Sequence, residues 1–230
     1  MESLQKKNDI IVIAEAGVNH NGDFSMAMEL INQASLSGAQ YVKFQTFKTE
    51  NITTLNAKKA EYQQKNELID ETQFEMLKSL EIPLKWYPKL INYCNQKNIK
   101  FLSTGFDEES IDLLDRLDIE LFKIASGEIT NKKLLKHIAS KNKDIILSTG
   151  MAEFKEIHEA IQTLILGGIK KEQIIVLHCC SQYPTPLCDV NLFAMLDLKK
   201  RLNINVGYSD HTEGIDVPIA AAALGAKVIE

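Results

Sequence analysis

The sequence is poor in the features that mark several functional classes. It holds four cysteines, Cys94, Cys179, Cys180 and Cys188, with no CxxC spacing and too low a density for a disulfide scaffold. Reduced thiols are therefore expected, with Cys179 and Cys180 packed at a strand end. No run of about 18 apolar residues is present to span a bilayer, and no positively charged start leads into an apolar secretion segment. The expected location is the cytoplasm. Lysine and arginine do not cluster, and the net charge of -5 leaves no basic footprint for nucleic acid. A small molecule is the expected partner. No glycine-rich dinucleotide fingerprint follows the first apolar strand, so a nucleotide cofactor is not indicated.

What is present is an ordinary globular composition, 45% hydrophobic and 25% charged over 230 residues, which fits one large domain spanning 1–230. Residues 10–23 set the pattern. An apolar, β-branched run ends in the carboxylate of Glu15, then a turn from Gly17 to Gly22 carries Asn19, His20 and Asn21. Asp23 stands where an N-cap would, ahead of Met26, Leu30, Ile31 and Ala34 at helical spacing.

That strand, polar tip and helix recur. Further strands are expected at Ala39 to Gln45, Ile99 to Leu102, Leu121 to Ile124, Ile145 to Leu147, Ile174 to Leu177 and Ile204 to Gly207, each followed by polar residues and a helical pattern. Between Thr46 and about Asp70 lies a polar stretch including Lys58-Lys59-Ala60-Glu61-Tyr62-Gln63, read as a partly helical loop over the site. A helix is expected from Leu84 to Gln96, with Pro83 near its start. Seven βα units and the beginning of an eighth strand predict an α/β fold, a TIM (β/α)8 barrel incomplete at the eighth strand, with its chemistry at the carboxyl ends of the strands. A doubly wound sheet is the alternative, but there polar residues would gather at the switch point instead of following nearly every strand.

Lys43 and Lys123 each sit inside an apolar strand near its tip, where an ammonium without an anion loses its charge or destabilises the fold. They point to a bound phosphate or carboxylate, to internal salt bridges with groups such as Glu15 and Glu128, or to a Schiff-base lysine. Thr104-Gly105, Ser126-Gly127 and Ser148-Thr149-Gly150 are hydroxyl-glycine turns entering helices, where free N–H groups and hydroxyls can hold phosphate oxygens. Each alone is also an ordinary N-cap. His211, after the seventh strand, can ligate a divalent metal through neutral imidazole or serve as a hydrogen-bonded structural residue. His20 and His178 are further strand-tip candidates, and His137 is expected to be solvated. Glu15 and Glu128 are the carboxylates best placed for acid–base work.

Taken together, Ala14-Glu15-Ala16-Gly17-Val18-Asn19-His20-Asn21-Gly22, Val42-Lys43-Phe44-Gln45, Phe122-Lys123-Ile124-Ala125-Ser126-Gly127-Glu128, Leu147-Ser148-Thr149-Gly150-Met151, Tyr183-Pro184-Thr185-Pro186 and Gly207-Tyr208-Ser209-Asp210-His211-Thr212 resemble the sialic acid synthase family. That family includes N-acetylneuraminate, legionaminate and pseudaminate synthases. The resemblance implies condensation of phosphoenolpyruvate with the open-chain aldehyde of an N-acylated mannosamine-type sugar, giving a nine-carbon 2-keto acid and phosphate. It implies that Lys43, Thr104, Lys123, Ser126, Ser148 and Ser209 hold the phosphate and carboxylate of phosphoenolpyruvate, with Tyr183 lining that side. Glu15 would act on the water that attacks C2, and Glu128 and Gln45 would lie near the sugar. His211 would bind a divalent metal, manganese or magnesium.

Ser181-Gln182-Tyr183 departs from the Asn-x-Tyr of neuraminate-forming members and places the chain nearer the legionaminate branch. The family pattern continues past Val228-Ile229-Glu230 into a second metal histidine and an antifreeze-like domain that completes a homodimer. The chain as given is thus expected to leave a barrel seam unclosed and to show weak or no activity by itself. Two competing readings stand beside the synthase: a Schiff-base aldolase using Lys123 or Lys43, and a non-catalytic protein that binds phosphorylated ligands.

Overall fold

The computed structural model describes residues 10–58 and 72–230. Eight strands, β1 (Ile11–Gly17), β2 (Tyr41–Thr46), β3 (Lys100–Gly105), β4 (Leu121–Ile124), β5 (Asp144–Ser148), β6 (Ile174–Cys179), β7 (Asn205–Ser209) and β8 (Val228–Ile229), form a closed barrel in sequence order. Every neighbouring pair is parallel. Most strands are largely apolar, interrupted near their tips by groups such as Lys43 and Lys123, because the barrel interior and the helices cover both faces. All four residues of β4 are buried.

The helices of two turns or more are α1 (Phe24–Leu36), α2 (Gln73–Leu80), α3 (Tyr87–Gln96), α4 (Glu108–Arg116), α5 (Lys132–Ala139), α6 (Phe154–Leu166), α7 (Leu192–Leu202) and α8 (Asp216–Ala223). Their starts are written locally. Asp23 accepts from the Met26 N–H at 2.9 Å, Asp107 from Ser110 at 2.9 Å and Asn131 from Leu134 at 3.1 Å. The barrel helices turn an apolar stripe inward, as Ile157, Ala160, Ile161 and Leu164 do in α6, whereas α2 buries no residue. The helix expected from Leu84 is split: a 3-10 turn at Leu84–Trp86 precedes α3, whose first turn carries Pro88. No described helix is long and apolar enough to cross a membrane. Of the stretch expected to form a loop over the site, a short helix at Thr49–Ile52 is described, and residues 59–71 lie outside the described residues.

The barrel is present, and the expected open seam is corrected. Two residues of β8 suffice to close it, Ile11 pairing with Val228 and Val12 with Ile229 on one side, and Tyr208 with Ile229 on the other. The Ile11 N–H donates to the Lys227 carbonyl at 3.0 Å, and the Glu230 N–H to the Tyr208 carbonyl at 3.0 Å. Gly207 permits this approach, because a side chain there would meet the Val228 carbonyl and the Leu177 side chain. All four cysteines are free, with Cys179 buried at the end of β6 as expected.

Candidate functional site

The two strand lysines meet at the carboxyl mouth. Lys43 and Lys123 are 6% and 3% exposed, too buried to be left without counter-charge. Lys43 forms a direct ion pair with Glu15, as the salt-bridge reading expected. Lys123 pairs with Glu230 and not with Glu128, its Nζ lying 3.5 Å from Glu230 Oε2. Glu230 also lies 3.7 Å from Lys43, so two cations face two carboxylates in one cluster.

Each charge is tuned by its surroundings. Burial pulls the Lys43 ammonium down, but Glu230 and Glu15 outweigh it and hold Lys43 above the ordinary lysine range. Lys123 is pushed below that range by burial, against the pull of Glu230. Burial raises the Glu15 carboxyl despite Lys43 beside it, although its side chain keeps 42% exposure toward the mouth. Glu230 is buried too, yet Lys123 and Lys43 overcome that penalty and keep it below the usual carboxylate range.

Backbone geometry aims Glu15. The β1–β2 register pairs Glu15 with Lys43 and then skips to Gly17 with Phe44, a bulge whose glycine has φ +53°. A Cβ on Gly17 would sit 3.0 Å from Glu15 Oε1 and 3.8 Å from Gln45 Nε2, so Glu15 and Gln45 converge on this bare backbone. Gln45 is level with Thr104, and Thr104 with Lys123, across β2, β3 and β4.

The hydroxyls follow the same rim. Lys123 Nζ donates to Ser148 Oγ at 2.7 Å and to the Ile124 carbonyl at 3.1 Å. Ser209 Oγ donates to Glu230 Oε2 at 2.9 Å. Ser126 Oγ accepts from the Gly150 N–H at 2.8 Å and touches Cys179 Sγ at 3.3 Å. Thr104 is 2% exposed. The structure therefore gathers Glu15, Lys43, Lys123, Ser148 and Ser209 into one hydrogen-bonded and ion-paired cluster, with Gln45 and Thr104 at matching strand level.

Other candidates lie outside this bonded cluster. Glu128 ends a 3-10 turn and accepts from Asn131 Nδ2 at 2.8 Å, which ties it to the start of α5. His178 Nε2 contacts the Val190 carbonyl at 2.8 Å. His20 is fully buried between Phe44 and Trp86. His137 is not free in solvent, since its Nε2 meets Asp112 Oδ1 at 2.8 Å. Glu230 is the member of this cluster that the sequence pattern did not single out. A carboxylate directly after an apolar β-branched pair, placed like Glu15 on β1, was the available signal.

His211 Nδ1 donates to the Cys180 carbonyl at 2.6 Å, which fixes the tautomer and leaves Nε2 with its lone pair. The half-turned ring of Tyr183 packs against it, centroids 4.0 Å apart. Among the described residues no three His, Cys, Asp or Glu groups come together to hold a metal. His211 thus offers one ring nitrogen that could ligate, and the described residues bring no set of metal-binding groups around it.

The profile of the NeuB family matches residues 30–230. The chain belongs to the NeuB family. Its NeuB relatives include an N,N'-diacetyllegionaminic acid synthase of Campylobacter jejuni, 54% identical over 220 residues, which cover 96% of this chain and 66% of that protein. A second N,N'-diacetyllegionaminic acid synthase, from Legionella pneumophila, is 48% identical, with 95% and 62% covered. The chain thus spans roughly two thirds of the length of these curated relatives. Among solved structures, the N-acetylneuraminic acid synthetase of Leptospira borgpetersenii in complex with citrate superimposes with a TM-score of 0.83 at 34% identity, covering 97% of this chain and 73% of that one.

Proposed function

We propose that this NeuB barrel binds phosphoenolpyruvate at the Lys43–Lys123 cluster and condenses it with an N-acylated mannosamine-type sugar. The products are a nine-carbon 2-keto acid and phosphate. The observation that carries the reading is the pair of buried ammonium groups, ringed by hydroxyls, at the end of the barrel where such folds place their chemistry. Identities of 54% and 48% to proteins named as N,N'-diacetyllegionaminic acid synthases favour 2,4-diacetamido-2,4,6-trideoxymannose as the sugar, with N-acetylmannosamine as the competitor.

In this mechanism Lys43, Lys123, Thr104, Ser126, Ser148 and Ser209 hold the anionic groups and fix the enol carbon in line with the aldehyde. A carbon–carbon bond forms from C3 of phosphoenolpyruvate to the aldehyde carbon, leaving C2 cationic and the aldehyde oxygen an alkoxide. Water then adds at C2 and gives one proton to Glu15, which passes it on to the alkoxide; the C2–O bond to phosphate breaks as the C2 hydroxyl becomes the ketone, and its proton leaves with the phosphate. The raised carboxyl of Glu15 suits it to that transfer. Gln45 and Glu128 would contact the sugar, and Tyr183 would line the phosphoenolpyruvate side. A divalent ion, manganese or magnesium, would take His211 as one ligand and supply Lewis-acid polarisation of the aldehyde. We propose a homodimer for the whole protein on the family resemblance.

The test is phosphate release from phosphoenolpyruvate with each sugar, with and without manganese, on a chimera that continues this barrel with the remaining third of the Campylobacter jejuni relative. Metal-dependent release with the diacetamido sugar is expected. Silence with both sugars would overturn the synthase reading. Borohydride trapping of a Lys123 or Lys43 adduct, with activity that survives EDTA, would establish the aldolase instead.

A further inference from the structure

Buried ammonium groups need counter-charge whether the mouth is loaded or empty, because dehydrating an uncompensated cation is costly. Lys43 has a direct partner in Glu15. Lys123 is hydrogen-bonded to neutral acceptors, Ser148 Oγ and the Ile124 carbonyl, and its balancing charge comes from Glu230 at 3.5 Å. The same carboxylate lies 3.7 Å from Lys43. Both separations are longer than a well-formed charge-assisted hydrogen bond. Glu230 is fastened instead through Ser209 Oγ at 2.9 Å and through its backbone, which donates to the Tyr208 carbonyl and accepts from the Asp210 N–H. Its Oε1 is buried and has no hydrogen-bond partner. A carboxylate set between two cations, bonded closely to neither and with one acceptor unfilled, occupies the place of an anionic oxygen of a ligand.

We propose that Glu230 is a resident counter-ion, which neutralises Lys43 and Lys123 while the mouth is empty and gives up its place between them to a carboxylate or phosphate oxygen of the ligand. The inference rests on the anion-binding reading of the site and adds a charge threshold to it. With two lysines balanced by Glu15 and Glu230, a singly charged anion meets no net attraction. A multiply charged one recovers the loss by engaging both ammonium heads at once. Glu230 is in these terms a positioning and selectivity residue, and it takes no part in bond making.

The experiment is isothermal titration calorimetry of this chain and of its Glu230→Gln and Glu230→Asp variants with three probes, phosphoenolpyruvate, inorganic phosphate and acetate. Circular dichroism confirms the fold of each variant. Glu230→Gln should bind phosphoenolpyruvate at least about tenfold more tightly than the unchanged chain and should gain measurable acetate binding, since a unit negative charge has been removed beside both cations. Equal or weaker phosphoenolpyruvate binding by folded Glu230→Gln overturns the proposal. If that variant does not fold, Glu230→Asp keeps the charge but withdraws it by a methylene. Tighter binding than the unchanged chain then supports the counter-ion, and unchanged or weaker binding overturns it. Anion binding in no form at all overturns the anion site and the counter-ion together. Tighter binding by Glu230→Gln, together with a chimera that stays silent with both sugars, overturns the synthase reading and leaves the counter-ion standing.

Discussion

Lys123 Nζ donates to Ser148 Oγ at 2.7 Å across the β4–β5 pair, between side chains that are 3% and 4% exposed. Lys123 is level with Ile146 in the register, so the lysine reaches one step up β5 toward the mouth to find this hydroxyl. Ser148 therefore aims the ammonium. Ser148→Ala should leave a buried donor short of an acceptor, costing about 1–3 kcal/mol in urea denaturation, and should weaken phosphoenolpyruvate binding. Lys123→Met should abolish that binding and destabilise by up to about 3–5 kcal/mol, because it leaves the buried Glu230 with only the more distant Lys43 as counter-charge. Adding Glu230→Gln to Lys123→Met should restore part of the loss. A double variant no more stable than Lys123→Met would show that the Lys123–Glu230 charges are not what holds this region.

Gly150 is kept bare by its neighbours. A Cβ at this position would lie 2.9 Å from Cys179 Sγ and 3.1 Å from Ser126 Oγ, the hydroxyl that accepts from the Gly150 N–H. Gly150→Ala should therefore cost about 1–3 kcal/mol by overpacking and lower phosphoenolpyruvate affinity by displacing Ser126. The double variant Gly150→Ala with Cys179→Ala should recover stability, since the thiol that is struck has been removed. Calorimetric unfolding of the four proteins decides it, and additive losses would contradict the steric account.

How much of this was legible follows from how local each determinant is. The strands could be read because burial makes them largely apolar up to their polar tips, and the helix starts because Asp23, Asp107 and Asn131 cap within three residues of themselves. The convergence of Lys43, Glu15 and the strand-tip hydroxyls could be read because every strand of a barrel delivers its tip to one end. Glu230 was not legible as a partner, since two strand residues are too short a pattern to assign a face. Glu128 was legible as a strand-tip acid, whereas the 3-10 turn Ser126–Glu128 that holds it and its bond from Asn131 were not. His20 lies in a polar turn, and only the fold brings Trp86 and Phe44 over it.

The closing seam makes a separate prediction. β8 has two residues, and its carbonyl at Val228 approaches the backbone of Gly207 so closely that no side chain fits between them. Gly207→Ala should push β7 and β8 apart and destabilise the protein by about 3 kcal/mol. Hydrogen exchange should then accelerate at the Ile11 and Glu230 amides, which bond across or beside the seam, while the β4–β5 ladder keeps its protection. Uniform acceleration over the barrel would mean that closure at β8 is not locally weak.

His20 gives the fold a pH dependence whose sign is set by burial. The imidazole is fully buried, its Nδ1 accepts from the Gly22 N–H at 3.1 Å, and its Nε2 has no hydrogen-bond partner. Losing water disfavours the charged ring and holds its pKa below the ordinary histidine value. The unfolded chain therefore takes up the proton first as pH falls, so unfolding gains free energy from about pH 6.5 downward until the folded-state value is reached. Stability that is complete above that window is lost within it, at up to about 1.4 kcal/mol per pH unit for one site. Urea midpoints measured between pH 8 and pH 5 should drop more steeply for the unchanged protein than for His20→Gln, which cannot titrate there. His20→Gln will begin from a lower midpoint at pH 8, because it gives up the ring contacts with Phe44 and Trp86. The slope and not the starting value carries the test, and parallel slopes would assign the acid sensitivity to other groups.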